Sequence, residues 1–205
     1  MQEVKNNNLD FLQNNMKSKD AIYRYFAPKM YGICLRFAGN EMEAQDILHD
    51  GFIKVFSKLQ DFRNDGSFEG WIRRTMINTA INFYRKKSRE TIFSNIDAKE
   101  IAEKDNFGIV NRLSKEELLN LIQELPVGYR TVFNLNVLEG YTHKEIGMMM
   151  NISDNTSKSQ LTRARSILQR KVLAMVKEKV KVPFADFKVI RNDEITDFVE
   201  LLEAV

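Results

Sequence analysis

Apolar residues recur along this chain at intervals of three and four positions, which is the spacing of one face of an α-helix. Three such stripes lie in the first part of the chain: Ile22, Phe26, Met30, Ile33 and Phe37; Leu48, Phe52, Val55 and Leu59; and Phe68, Ile72, Met76, Ala80 and Phe83. Pro28 interrupts the first stripe and predicts a kinked or split helix there. With only 9 glycines and 3 prolines among 205 residues, a turn-rich β fold is disfavoured. We expect an all-α protein.

The helical pattern falls into two groups, separated by a stretch with weak periodicity. Ser114 begins a capping box, and Pro126 and Gly140 are typical of helix boundaries further on. The sequence therefore predicts two small helical domains joined by a flexible linker. The expected segments are a three-to-four-helix bundle over 9–90, a linker over 91–113, a second helical domain over 114–182 and an acidic extension over 183–205.

The pattern after Gly140 indicates a helix-turn-helix. Thr142 and Glu145 form a second capping box that opens a short helix. Asn151 tolerates the left-handed conformation of a tight turn, so it predicts the end of that helix. A long helix is then expected from about Asp154 to Lys179. A capped short helix, a tight turn and a second helix in this order are typical of DNA-binding proteins.

The first turns of that long helix would expose polar and cationic groups to the major groove of DNA. The candidate base contacts are Asn155, Lys158, Ser159, Thr162 and Arg163, and Arg165 is expected to meet a phosphate. Lys and Arg donate to guanine O6 and N7, while Ser and Thr contact bases or phosphates. A basic surface helix of an unrelated bundle is the alternative that spacing alone leaves open.

The third helix of the first domain carries a second group of cationic and amide side chains. These are Arg73, Arg74, Asn78, Asn82, Arg85 and Lys86. Asn reads base edges, and an aromatic ring beside basic groups can stack on an unpaired base. Trp71 and Phe83 are expected in the core and Tyr84 on the surface. An ordinary solvated helix face accounts equally well for Asn78 and Asn82.

The net charge of +3 conceals an uneven distribution along the chain. Residues 73–89 hold six basic and no acidic side chains, and residues 155–181 hold eight basic and one acidic. Residues 183–205 carry a net charge of −4, which leaves +7 on residues 1–182. Two separate basic segments suggest a polyanion that is contacted at two places.

Several classes of protein are disfavoured by what the sequence lacks. A single cysteine, Cys34, excludes internal disulfides, and the distant His49 and His143 leave little for a metal site. No phosphate-binding glycine loop or nucleophile–base set points to an enzyme, so we expect no catalytic residue and no cofactor. The longest uncharged run, Thr75–Tyr84, is too short to span a bilayer, and the Asn-rich start lacks a signal peptide's apolar core. We expect a cytoplasmic protein.

Taken in order, these segments resemble an extracytoplasmic-function sigma factor, a promoter-specificity subunit of bacterial RNA polymerase. The resemblance covers about residues 9–175. The segments that carry it are Tyr23 to Tyr31, Ala44 to Phe52, Phe68 to Arg74 with Asn78, Asn82 and Arg85 to Lys87, and Leu125, Pro126, Arg130, Phe133, Gly140 to Thr142, Lys144 to Ile146 and Thr156 to Arg165.

The resemblance implies a role for each segment. Residues 9–90 would be sigma region two, which docks on core RNA polymerase and melts and reads the −10 promoter element. Residues 114–182 would be sigma region four, whose helix-turn-helix reads the −35 element. The residues implied to dock on the polymerase β′ coiled coil are Gln45, Asp46, His49 and Asp50. The implied partners are core RNA polymerase, through its β′ coiled coil and β flap, promoter DNA, and an anti-sigma factor.

The chain departs from the family pattern at a few positions. Gln45 and His49 replace an acid and a glutamine in the docking helix, and Asn82 stands where an acid is common. Ser157 replaces a buried aliphatic residue, which predicts a looser seat for the recognition helix.

Two other functions compete with a sigma factor on the sequence alone. A stand-alone helix-turn-helix regulator would bind duplex operators as a dimer without polymerase, although no dimerisation helix is evident. A helical adaptor would have no nucleic-acid role, so neutralising Lys158 and Arg163 would change nothing. The extension 183–205 could form an amphipathic helix that covers a basic surface, or it could simply pack on the second domain.

Overall fold

The computed structural model describes residues 18–63, 65–91 and 114–180. Within these ranges the chain forms seven α-helices and no β-strand, so the all-α expectation is confirmed. The helices are α1 Lys19–Phe37, α2 Glu41–Ser57, α3 Phe68–Thr91, α4 Lys115–Gln123, α5 Val127–Phe133, α6 His143–Met150 and α7 Asp154–Val180. All but one residue of the expected linker, and the whole acidic extension, lie outside the described residues.

The chain divides into two compact units, Met1–Phe83 and Tyr84–Val205. The division falls within α3, close to the end expected for the first domain. The domain boundaries given above stay predictions.

Local capping chemistry explains where the helices of the first unit begin. The side chain of Ser18 accepts a hydrogen bond from the Ala21 N–H and caps α1. Asn40 Oδ1 accepts from the Glu43 N–H at 2.9 Å and caps α2. Ser67 Oγ accepts from the Gly70 N–H at 3.3 Å and caps α3. Each cap satisfies a backbone donor that the first turn of a helix leaves unpaired.

The three apolar stripes meet in one core. Phe26 of α1 packs edge-on against Phe68 of α3, with 5.7 Å between ring centroids. Gly51 of α2 allows a close approach to α3, because a Cβ at this position would lie 2.2 Å from Met76 Sδ. Met76 is fully buried. The α2–α3 contact therefore depends on a glycine facing a methionine.

Of the kinked or split helix expected at Pro28, the split is wrong, because α1 runs without a break from Lys19 to Phe37. Proline removes one backbone hydrogen bond and crowds the preceding turn. The buried residues on both sides of it, Phe26, Ala27 and Met30, hold the two halves in the same core. Their burial offsets the lost bond.

The second unit is built around α7, against which α4, α5 and α6 pack. Ser114 and Glu117 form the predicted capping box at the start of α4. Arg130 of α5 is buried, and its guanidinium donates to the carbonyl oxygens of Gln123 and Leu125 just after α4. Arg130 therefore holds the α4–α5 corner by satisfying carbonyl groups that α4 leaves unpaired.

The sequence pattern implied a regular helix after Pro126, but the helix does not stay regular to its end. α5 gives way to a π-helical turn over Asn134–Leu138, and the chain then reaches Gly140 at φ +72°. Buried Asn134 donates its side-chain N–H to the Arg130 carbonyl at 2.9 Å, and Asn136 donates to the Tyr141 carbonyl at 2.9 Å. The Asn134 side chain thus adds a second donor to the Arg130 carbonyl, which also accepts from the Asn134 backbone N–H, and Asn136 supplies a donor to the Tyr141 carbonyl after the widened turn.

Candidate nucleic-acid interface

The helix-turn-helix has the turn chemistry that the sequence predicts. Thr142 and Glu145 cap α6 reciprocally, and Asn151 ends it in the left-handed region at φ 58°. The Ile152 N–H then donates to the Gly147 carbonyl at 3.0 Å and closes the turn. Because the N–H and the hydroxyl of Thr142 both donate to the Glu145 carboxylate, the pKa of Glu145 lies below its ordinary value.

One face of α7 is buried and the other carries the predicted DNA-contacting side chains. The buried face consists of Ser157, Leu161, Ala164, Leu168 and Val172. The exposed candidates are Asn155, Lys158, Ser159, Thr162 and Arg163, while Arg165 is half-buried. The helix therefore presents donors and acceptors from its first turns outward, which major-groove reading requires. Their individual roles stay predictions.

Tyr129 is a neighbour of this surface that sequence reasoning missed. Arg163 Nη1 donates to the Tyr129 hydroxyl at 3.3 Å, so a residue of α5 supports a candidate base contact on α7. The two residues are 34 positions apart. Helical periodicity carries no signal for a contact of that kind.

Helix α3 presents a second cationic surface. Four exposed residues follow one another at steps of four along it, namely Arg74, Asn78, Asn82 and Lys86, and we call them the α3 ridge. Arg73 and Arg85 flank the ridge and are half-buried. Residues four apart lie on one helix face, so the ridge forms a continuous row of donors.

The aromatic residues near this ridge are less available than the sequence suggested. Tyr84 is 8% exposed, so the expectation that it lies on the surface is wrong. Phe83 is half-buried. Trp71 stacks on Phe68 and contacts Phe62, with centroid distances of 5.8 and 5.5 Å. Its role in packing is therefore confirmed.

Helix α2 displays the four predicted docking residues on its exposed side. Gln45, Asp46, His49 and Asp50 are all exposed. Gln45 also forms a side-chain hydrogen bond with Tyr31 of α1, a residue whose pKa is raised by burial and by the nearby Glu41 carboxylate. The acidic groups are thus held on a helix whose other side is in the core.

Two large apolar side chains on α2 belong to the same surface, and sequence reasoning missed them. Met42 and Ile53 are 74% and 65% exposed. Met42, Asp46, His49 and Ile53 stand at steps of four, three and four, so they share one helix face. We call these four residues, with Gln45 and Asp50, the α2 face. Extending the three- and four-residue spacing outward from the polar docking residues Asp46 and His49 would have reached Met42 and Ile53.

The described part of the chain gives no support for a metal site or a membrane-spanning helix. No group of three or more His, Cys, Asp or Glu side chains there could hold a metal ion. None of the helices in that part is long and apolar enough to cross a membrane. The surfaces described above are suited to binding macromolecules.

Comparison with known proteins places the two helical units in one family. The family model for sigma-70 region 2 matches residues 22–90, and the model for sigma-70 region 4 matches residues 115–168. The RNA polymerase sigma-H factor of Pseudomonas aeruginosa is 27% identical over 177 residues, covering 81% of this chain and 92% of that protein. The chain belongs to the extracytoplasmic-function type of the sigma-70 family.

A curated relative from another organism agrees with this assignment. The ECF RNA polymerase sigma-E factor of Escherichia coli K12 is 29% identical over 146 residues, which cover 66% of this sigma factor and 76% of that one. A solved structure of a sigma factor with the anti-sigma factor NepR, from Bartonella quintana, matches at 18% identity with a TM-score of 0.47. It covers 76% of this chain and 96% of the other.

The resemblance inferred from the sequence is therefore confirmed, and so is the function that it implies. This sigma factor acts with RNA polymerase at promoters in transcription initiation. A stand-alone helix-turn-helix regulator is not favoured.

Proposed function

We propose that the two helical units of this sigma factor divide promoter recognition between them, with α7 reading the −35 element in the major groove. Support comes from the exposure of Asn155, Lys158, Ser159, Thr162 and Arg163 on the first turns of a helix whose opposite face is buried. Arg165, further along and half-buried, contacts a phosphate. This two-sided character of α7 carries the proposal.

In the same proposal, helix α3 binds the opened −10 element. The α3 ridge supplies cationic groups for the backbone and amides for base edges, and Arg73 and Arg85 add charge at its side. Taking a base out of its stack costs a few kcal/mol. Contacts of the ridge with the unpaired strand, together with polymerase contacts, offset that cost.

The α2 face is the proposed dock for core RNA polymerase. Asp46 and Asp50, with Gln45 and His49, face the β′ coiled coil, and their charge steers a basic partner. Met42 and Ile53 lie near the two ends of this face, and we expect them to be buried on docking. Region four would contact the β flap. An anti-sigma factor remains a prediction of the family resemblance.

The protein in this proposal is a binding subunit in the cytoplasm and performs no catalysis of its own. Its activity is the specificity that it confers on the polymerase. A stand-alone regulator differs in one measurable respect, because it binds duplex DNA tightly without polymerase.

The test reconstitutes the full chain with core RNA polymerase and transcribes a library of genomic promoter fragments. We expect transcripts only with both components present, from start sites that share −35 and −10 sequences. Lys158→Ala and Asn78→Ala should weaken selection at the −35 and −10 positions respectively, and Lys58→Ala, directly after α2, serves as a charge-matched control for Lys158→Ala. Failure to bind core, or transcription without sequence preference, contradicts the proposal.

A further inference from the structure

Ser157 lies on the inner side of α7, where the family pattern has an aliphatic residue. It is 0% exposed, so its hydroxyl group needs a partner to offset the loss of water. That partner is His143, the first residue of α6, whose Nδ1 lies 2.9 Å from Ser157 Oγ.

This bond is compatible with either charge state of the histidine. When the ring is neutral with its proton on Nε2, the serine donates to Nδ1. When the ring is protonated, Nδ1–H donates and the serine oxygen accepts. The hydroxyl rotates to suit either case.

A hydrogen bond restricts a helix differently from an apolar contact. Apolar packing favours closeness but no particular direction, whereas a hydrogen bond requires a limited distance and angle. Ser157 stands one position before Lys158, two before Ser159 and six before Arg163, which is about one and two-thirds helical turns. A small rotation of α7 about its axis would displace all three side chains from base edges. Sites of this kind need placement to within about 0.5 Å and 10–20°.

We propose that His143 and Ser157 are a positioning pair that fixes the rotation of α7 against α6, so that its exposed side chains meet the −35 bases. The inference rests on the proposed function of α7 as the −35 reader. It replaces the looser seat that the sequence predicted at Ser157. Neither residue of the pair is exposed enough to be a main base contact itself.

The surroundings of the pair allow positioning to be separated from stability. His143 is half-buried, so water can reach its ring when the serine hydroxyl is removed. Ser157→Val places an apolar group in the core and removes the directional hydrogen bond with His143. At the other end, His143→Asn keeps a polar atom near the Nδ1 position. His143→Gln carries its amide further out, beyond reach of Ser157.

The experiment uses the full chain with core RNA polymerase and a promoter library with a randomised −35 region, read by sequencing the transcripts. Ser157→Val and His143→Gln should each reduce the preference for the best −35 sequence by about fivefold, the equivalent of one ordinary hydrogen bond. His143→Asn should retain the wild-type preference. Ser166→Ala, on the same helix without this contact, is the matched control. Thermal unfolding midpoints of all variants should be similar.

The outcomes separate the pair from the function on which it rests. If the wild type selects no −35 sequence, the proposed function of α7 fails, and the positioning role fails with it. If the wild type selects a sequence and Ser157→Val selects it equally well, only the positioning pair is overturned. An equal −35 sequence preference in His143→Asn and His143→Gln also overturns the positioning pair. The histidine variants change a half-exposed residue, so they decide the matter even if Ser157→Val does not fold.

Discussion

At the scale of single residues, burial decides which chemical groups of this sigma factor can react or titrate. Cys34 is 1% exposed, and burial raises the pKa of its thiol to about 12. Glu145 is at the opposite extreme, since it is exposed and its charge is held by a helix cap. Cys34 therefore leads to a prediction of low reactivity, and Glu145 leads to a prediction of pH-dependent stability.

Cys34 should be inert in the folded protein. At pH 8 the thiolate is a negligible fraction of a group with so high a pKa, and the thiolate is the reactive form. We expect Ellman's reagent to modify the native protein only slowly and the urea-unfolded protein at once. Ser57→Cys in a Cys34→Ala background provides an exposed thiol for comparison. Rapid labelling of native Cys34 would show that this part of the core opens readily.

Thr142→Val should destabilise the second unit in a pH-dependent way. The folded pKa of Glu145 is depressed, so its stabilising effect is present above about pH 4.5 and lost as pH falls through the lower folded pKa. Removing the Thr142 hydroxyl removes one of the bonds that cause this shift. Urea unfolding should therefore show a larger difference from wild type at pH 6 than at pH 3. Thr162→Val, an exposed threonine on α7, should show no such dependence.

At the scale of helices, the contact between α2 and α3 couples two positions in a way that changes the sign of a mutation. Gly51→Ala places a methyl group against the fully buried Met76 side chain, which must shift to accommodate it. Overpacking costs about 1–3 kcal/mol, more than the roughly 1 kcal/mol that alanine gains over glycine in a helix. The single variant should be less stable than wild type.

Gly51→Ala should have the opposite effect on stability when Met76 has already been replaced by a shorter side chain. Met76→Ala should cost about 2–5 kcal/mol by leaving a cavity, and Gly51→Ala should then stabilise the protein by partly filling it. Urea unfolding of the four proteins in a double-mutant cycle measures the coupling. Additive changes in the free energy of unfolding would mean that the methyl group introduced at position 51 does not contact the Met76 side chain.

The α2 face should bind polymerase partly through its apolar residues. Met42→Ser with Ile53→Ser removes two side chains whose burial is worth about 1.5–3 kcal/mol each when complete. We expect core affinity to fall tenfold or more while the unfolding midpoint hardly changes, since both residues are exposed. Tyr25→Ser, an exposed aromatic on α1, is the control. Unchanged affinity in a competition assay with core would remove Met42 and Ile53 from the dock.

Sequence reasoning predicted the helices well because their determinants are local. The apolar stripes, the caps at Asn40, Ser67 and Thr142, and the left-handed Asn151 all act within a few residues. The surface positions of Lys158 and Arg163 followed from the same periodicity.

What sequence reasoning missed depends on contacts between distant residues. The bonds of Ser157 with His143, and of Arg163 with Tyr129, join different helices, and no spacing rule connects their positions. Tyr84 and the continuity of α1 through Pro28 were misjudged for a related reason. In both cases, tertiary packing outweighs the local preference.

At the scale of the whole molecule, the charges are divided between a basic body and an acidic extension. The extension lies outside the described residues, and its effect is predicted from sequence alone. Deleting 183–205 removes a net charge of −4 and should raise affinity for DNA at low salt. The gain, measured with holoenzyme by fluorescence anisotropy, should shrink as salt rises.

A matched variant separates charge from length in that experiment. Replacing four of the six acidic residues of 183–205 by Asn or Gln keeps the chain length, leaves the extension with no net charge and should reproduce the effect of the deletion. If neither protein differs from wild type, the extension does not cover a basic surface.

In the proposed contact with the −10 element, the length of the α3 ridge limits how much promoter this helix can read. Its ends, Arg74 and Lys86, are twelve residues apart, and at 1.5 Å per residue they are separated by about 18 Å along the helix axis. Stacked nucleotides advance about 3.4 Å each along one strand, so this length matches at most about five nucleotides, and fewer where the opened strand is unstacked and extended. Any −10 sequence preference that extends further must come from another part of the chain or from the polymerase.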